Sequence, residues 1–212
     1  MSMKWRNRVL GASLLLAAVG CVSGETQHER GEALYGYCEQ CHGDAGQGNA
    51  DFRTPAIAGL QDWYIEAQLQ KFRIGARGDH PDDLDGLRMR PMSRTLATDG
   101  EVALVSAYVA SLDPVDPPDT MVGGDPVAGR VLFNTCIECH GERAEGRRDK
   151  SAPSLLNQSD WYLVAQLHKF RSGIRGADTL DTTGIQMRPN ALALENDQAV
   201  RDVVAYIETL DN

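Results

Sequence analysis

The chain repeats itself at an interval of 98 residues, and that duplication constrains its fold more than any other feature. Cys38 and Cys136 stand 98 apart, as do His42 and His140, Trp63 and Trp161, Met89 and Met187, and Tyr108 and Tyr206. Pairing 31–113 with 129–211 needs no gap, and 34 of the 83 pairs are identical. A period that long is a whole domain, so the chain holds two copies of one small fold. Each copy has few aromatic residues, which make up 6% of the chain. Domains with cores that thin need a staple: a metal, a cofactor or disulfides.

Within each copy the apolar spacing is helical. Val102, Val105, Val109 and Leu112 fall three and four apart, with Asp99 placed to cap the start, and Val200, Val203, Ile207 and Leu210 match them. A middle helix is expected over 63–72 behind Asp62, with Gly75 just beyond its end, and its twin over 161–170 with Gly173 beyond. A short helix leads into each cysteine pair, from about Glu29 and about Val127. No stretch alternates as a sheet would, so each domain is expected to be all-α.

The divisions follow from composition. Lys4, Arg6 and Arg8 precede a short uncharged run, which reads as an export signal over 1–20. Residues 21–28 form an N-terminal tether, 29–113 the first domain and 125–212 the second. Between them, 114–124 begins with Pro114, Pro117 and Pro118, giving an extended linker without a helix. Cys21 follows Ala18, Val19 and Gly20, as at a lipoprotein cleavage site; ordinary cleavage near Gly20 is the other reading. The expected location is periplasmic, either free or lipid-anchored through Cys21.

Both copies carry Cys-x-x-Cys-His: Cys38, Cys41 and His42, then Cys136, Cys139 and His140. Two cysteines at this spacing reach both vinyl groups of one haem, and the adjacent imidazole turns onto the iron. A thioredoxin-type redox pair expects a strand before the motif, and none is evident. Zinc would need a second pair of ligands. Plain disulfides would not require a histidine in both copies. Two covalent haem c groups are therefore expected.

A sixth ligand is also expected. Met89 and Met187 form the one recurring methionine position, each 47 residues after its motif histidine. A thioether ligand suits electron transfer and raises the potential relative to two histidines. Each is followed by Arg-Pro, which points to a rigid loop and not a helix. Met92 competes with Met89 in the first copy, but it aligns with Asn190.

These pieces resemble class I cytochromes c, and their tandem arrangement is similar to the dihaem cytochrome c4 group. The match rests on Cys-x-x-Cys-His-Gly, Pro55 to Gly59, Trp63-Tyr64, Gln68-Leu69, Phe72 and Met89 with Leu96. The resemblance implies that Met89 and Met187 are sixth ligands. It also implies that the carbonyls of Pro55 and Pro153 hydrogen-bond the axial histidines. The second copy departs at Ala144, where the first has Gly46, and at Asn157, where the first has Gly59. Arg77 and Arg175 are expected to meet haem propionates, whereas Lys71 and Lys169 are read as solvated helix faces.

The net charge of −9 becomes −12 without 1–20, which holds three cations and no anion. Such acidity argues against nucleic acid and for redox protein partners with a basic docking face. The function the resemblance implies is electron transfer without enzymatic chemistry, from a quinol-oxidising complex to a terminal oxidase or reductase. A fixed cytochrome subunit of a respiratory complex and a dihaem peroxidase are the rival readings. The peroxidase would need an open sixth position on one haem.

Overall fold

The structure, a computed structural model, describes residues 25–210. The export signal, Cys21 and the start of the tether lie outside the described residues. Among those residues the regular structure is helical, apart from isolated bridges at Asn49–Thr54 and Arg147–Ala152. The first domain comprises α1 (Gln27–His42), α2 (Asp62–Ile74), α3 (Leu84–Ser93) and α4 (Asp99–Ser111). The second comprises α5 (Pro126–Phe133), α6 (Ile137–His140), α7 (Asp160–Ser172), α8 (Thr182–Leu192) and α9 (Asp197–Glu208). Two domains of one fold, all-α, are what the repeat implies.

In each domain the first helix crosses the last, and the middle helix packs against the last helix and the methionine helix. The crossing explains a recurring glycine. A Cβ on Gly31 would sit 2.6 Å from the Leu104 carbonyl oxygen, and Gly129 meets the Asp202 carbonyl in the same way. Only glycine lets the helices approach so closely. Val102, Val105 and Val109 are buried against Tyr35, and Val200, Val203 and Ile207 against Phe133. Burying such side chains contributes roughly 1.5–3 kcal/mol each.

Several local expectations need correction. The cap of α4 is Thr98, whose hydroxyl accepts from the Glu101 amide while the Glu101 side chain returns to the Thr98 amide. Asp99 sits one residue later, bonded to Gln70 and Arg73 of α2. Asp62 likewise lies inside the first turn of α2, after Gln61. The helix into the first cysteine pair is not short: α1 runs 16 residues, straight through Cys38 and Cys41. In the second copy that path breaks after Phe133 and resumes as α6.

The expected loop at the methionines is a helix in both copies. Pro91 lies inside α3 and Pro189 inside α8. Proline removes one hydrogen bond from a helix interior, and here it falls in the closing turns of short helices. Each helix is held at its start by an aspartate: Asp83 accepts from Gly86, and Asp181 from Gly184. Met89 and Met187 therefore project from regular backbone.

The linker is extended, and its far end is fixed. The Thr120 and Met121 amides both donate to Asp160 at 2.5 Å.

Candidate haem sites and the wall between them

A deep cavity lies in each domain, and the expected side chains meet there. Cys38, Cys41, His42, Pro55 and Met89 line the first, with Leu69 and Phe72 behind them. Cys136, Cys139, His140, Pro153 and Met187 line the second, with Leu163 and Phe170 behind. The helices explain the convergence. One elements' end supplies the cysteines and histidine, the middle helix supplies an apolar wall, and α3 or α8 supplies the methionine.

The histidines are oriented by their loops. His42 Nδ1 lies 2.9 Å from the Pro55 carbonyl oxygen, and His140 Nδ1 lies 2.8 Å from that of Pro153. A carbonyl can only accept, so each Nδ1 carries the proton and donates it. That tautomer leaves the Nε2 lone pair for a metal. Burial pushes both imidazoles below the usual histidine pKa, partly opposed by those bonds, so both are neutral at physiological pH. Burial and the neighbouring Cys41 push the Cys38 thiol up to about 11.

The departures at Ala144 and Asn157 do not alter the loop. Ala144 adopts φ 58° where Gly46 has 70°, and Asn157 adopts 56° where Gly59 has 69°. The loop hydrogen bonds persist, Ile57 to Gly46 at 2.8 Å and Leu155 to Ala144 at 2.9 Å. A left-handed alanine costs roughly 1–2 kcal/mol, which the surrounding fold absorbs.

The donor set fits a haem bound through two thioethers, with an imidazole and a thioether for the iron. Its chemistry is that of a porphyrin site: apolar walls, two thiols at one edge and neutral soft ligands. The cysteines are unpaired as disulfides, and among the described residues no other cluster of metal-binding side chains occurs.

The wall between the cavities was not foreseen. Tyr64, Gln68, Tyr162 and Gln166 line both of them. Arg77 donates to Gln68 at 2.8 Å, to Tyr162 at 2.9 Å and to Gln166 at 3.0 Å. Arg175 answers from the other domain, bonding Gln166 at 2.9 Å and Gln68 at 3.0 Å. Each guanidinium stacks 4.5 Å from a ring, Arg77 on Phe72 and Arg175 on Phe170. Both arginines line a cavity wall, Arg77 in the first and Arg175 in the second, but their hydrogen bonds span the interface.

Lys71 and Lys169 are corrected outright. Lys71 is only 9% exposed and reaches Asp181 and Thr183 of the other domain, each at 2.5 Å. Lys169 reaches Asp83 at 2.5 Å and Asp85 at 3.2 Å. These are buried interdomain bonds, not solvated faces. Lys71, Gln68, Arg77 and Asp83 each have an identical copy 98 positions away, whereas Asp85 is matched by Thr183, so the central contact is two-fold in character, like an isologous dimer joined into one chain.

The comparisons with known proteins agree with this geometry. The cytochrome c family profile matches residues 28–113 and again 126–211. The chain belongs to the cytochrome c family. This cytochrome is 28% identical to cytochrome c4 of Azotobacter vinelandii over 219 residues, covering 96% of this chain and 99% of that one. It is equally similar, 28% over 221 residues, to the thiosulfate dehydrogenase electron acceptor of Stutzerimonas stutzeri, covering 97% and 96%. The crystal structure of reduced cytochrome c4 from Pseudomonas stutzeri superposes with a TM-score of 0.66 at 27% identity, over 85% of this chain and 97% of that chain. The thiosulfate dehydrogenase structure from Marichromatium purpuratum gives 0.68 at 29% identity, over 86% of this chain but 40% of that one. The cytochrome thus carries two covalent haem c groups and transfers electrons.

Proposed function

We propose that this dihaem cytochrome is an exported electron carrier, taking electrons from a quinol-oxidising complex and passing them to a terminal oxidase or reductase. The observation that carries this reading is the pair of like cavities sharing one wall. The haem supplies a one-electron couple. Cys38 and Cys41 would tether one haem and Cys136 and Cys139 the other, with His42 and Met89, and His140 and Met187, the side chains that would ligate each iron. Leu69, Phe72, Leu163 and Phe170 would keep water from a bound haem iron, which favours a high potential. Arg77 and Arg175, each on a cavity wall, are proposed to hold haem propionates as well as the interface.

A methionine in each cavity argues against a peroxidase, which needs a displaceable sixth position. No described helix is long and apolar enough to cross a membrane. Periplasmic residence, with Cys21 as lipid attachment or lost on cleavage, is the compartment proposed. The likeness to the thiosulfate dehydrogenase electron acceptor favours a second reading for the donor, a sulfur-oxidising dehydrogenase.

Potentiometric titration with carbon monoxide binding tests the carrier reading. Two reversible one-electron couples and no CO complex of the reduced protein are expected. CO binding at one haem in the native protein would overturn it in favour of an enzyme.

A further inference from the structure

The helix α2 begins on an unusual residue. Gln61 is its N-cap, yet its side chain makes no capping bond; serine, threonine, aspartate or asparagine is the common choice there. The side chain reaches the other domain instead. Its Nε2 donates to the Glu145 carbonyl at 3.2 Å, and its Oε1 accepts from the Ser154 amide at 3.2 Å. A backbone N–H can only donate and a carbonyl only accept, so these two partners fix which way the side-chain amide faces. Both belong to the loop that follows the second haem motif, and Ser154 is the neighbour of Pro153.

The Ser154 N–H and the Pro153 carbonyl are the two ends of one peptide group. That carbonyl accepts from His140 Nδ1 at 2.8 Å. A relay therefore runs from Gln61 Oε1 through this peptide to the imidazole. Hydrogen bonds in such a chain polarise one another, so a peptide that donates at its N–H accepts more strongly at its oxygen. A stronger bond at Nδ1 makes the imidazole a more basic ligand at Nε2. The first domain is wired differently. Gln158 reaches its loop from the second domain, but donates to the Ala56 carbonyl at 2.9 Å, one peptide beyond the one that serves His42. The copy of Gln61 is Ser159, with a much shorter side chain.

We infer that Gln61 of the first domain is a positioning residue for the second domain's haem site: acting through Ser154 and Pro153, it strengthens the hold on His140 and lowers the potential of an iron ligated there. This rests on the electron-carrier reading for the role of His140, and adds a device that sets one of the two couples from across the interface. The direction follows from ligand chemistry, since a more basic imidazole stabilises ferric over ferrous iron, and hydrogen bonding behind a ligand is one of the levers a protein has on haem potential. Because the relay serves one copy, it makes two duplicated sites unequal. The same helix bears on the opposite side of that cavity, where Lys71 reaches Asp181, the cap of the helix that carries Met187.

The test is potentiometric titration of the full dihaem protein, with each couple assigned to its domain by nuclear magnetic resonance. Gln61→Leu should raise the second domain's potential and leave the first domain's where it was, although the substitution lies in the first. In the reduced protein the His140 Nδ1 proton should move upfield and exchange faster with solvent as its hydrogen bond weakens, while the His42 proton stays in place. If Gln61→Leu loads haem poorly, Gln61→Ser carries the same test, since serine is what the second copy has at this helix start. An unmoved second potential, a shift confined to the first domain, or equal shifts in both would overturn the assignment, the last by showing a general loosening of the interface. Failure of the carrier reading looks different: the wild-type protein would lack two reversible couples.

Discussion

The Lys71 ammonium lies 2.5 Å from Asp181 Oδ1, and the Lys169 ammonium lies 2.5 Å from Asp83 Oδ1. Each pair is the other's copy, so duplicated residues close the interface twice. Asp181 also caps α8, the helix that carries Met187, and Asp83 caps α3, which carries Met89. The contact that joins the domains therefore also holds the start of each methionine helix.

Removing one partner of such a pair leaves a buried charge unpaired, at roughly 3–5 kcal/mol. Lys71→Ala is expected to destabilise the protein by that order in denaturant unfolding. Lys71→Met/Asp181→Leu, which removes both charges, should recover most of the loss. A double variant as unstable as the single one would mean that Asp181 is needed for capping α8 more than for the ion pair.

Acid should act on the same interface. Burial raises Asp85, but hydrogen bonds from Arg53 and the charge of Lys169 outweigh it and hold its pKa at about 2. Asp181 is also lowered, by Lys71 against the effect of burial. A carboxylate with a depressed folded pKa stabilises the fold above its unfolded value, near 3.9, and loses that contribution as pH falls through the folded value. The domain contact should thus be intact at pH 5 and loosen between about pH 4 and pH 2. Small-angle scattering across that range checks it; expansion beginning near pH 6 would point to another group.

Two attachment motifs predict two retained haems. Mature protein extracted with acid–acetone should keep both, and Cys139→Ser should leave the first domain loaded while weakening or abolishing loading of the second. Since a porphyrin would fill the cavity behind Leu163 and Phe170, the second domain should also lose cooperative unfolding. A single haem in wild type would contradict the dihaem assignment.

The cysteine and histidine positions were legible because their chemistry demands a local spacing. The helices were legible from apolar periodicity, but their caps were not, since Thr98 and Asp99 are both competent and only backbone geometry selects the first. The helix at Met89 was obscured by Pro91, whose local rule favours a break. Lys71 was misread because its partner lies 110 residues away, beyond any local pattern. One usable sign existed: Lys71, Arg77 and Asp83 all recur at 98, as do Tyr64 and Gln68. Surface residues free of partners would not need to survive duplication together.

Met89 and Met92 are three residues apart on α3, and both line the first cavity. Residues at that spacing share a helix face, so geometry alone leaves two thioethers for one iron. The second cavity separates them. There α8 presents Met187 and Asn190, and the Asn190 amide donates to the Gln186 carbonyl at 3.2 Å. An amide cannot replace a thioether, so if the copies ligate alike the ligand is Met89. Met92 is also 39% exposed, as suits a residue of the rim. Met89→Ala should abolish the first domain's methionine–iron charge-transfer band, lower its potential and admit CO. Met92→Ala should keep the band. Because Met92 can turn inward when Met89 is absent, Met89→Ala/Met92→Ala is the control, and any band surviving in the single variant should vanish in it. A band lost in Met92→Ala and kept in Met89→Ala would reverse the assignment.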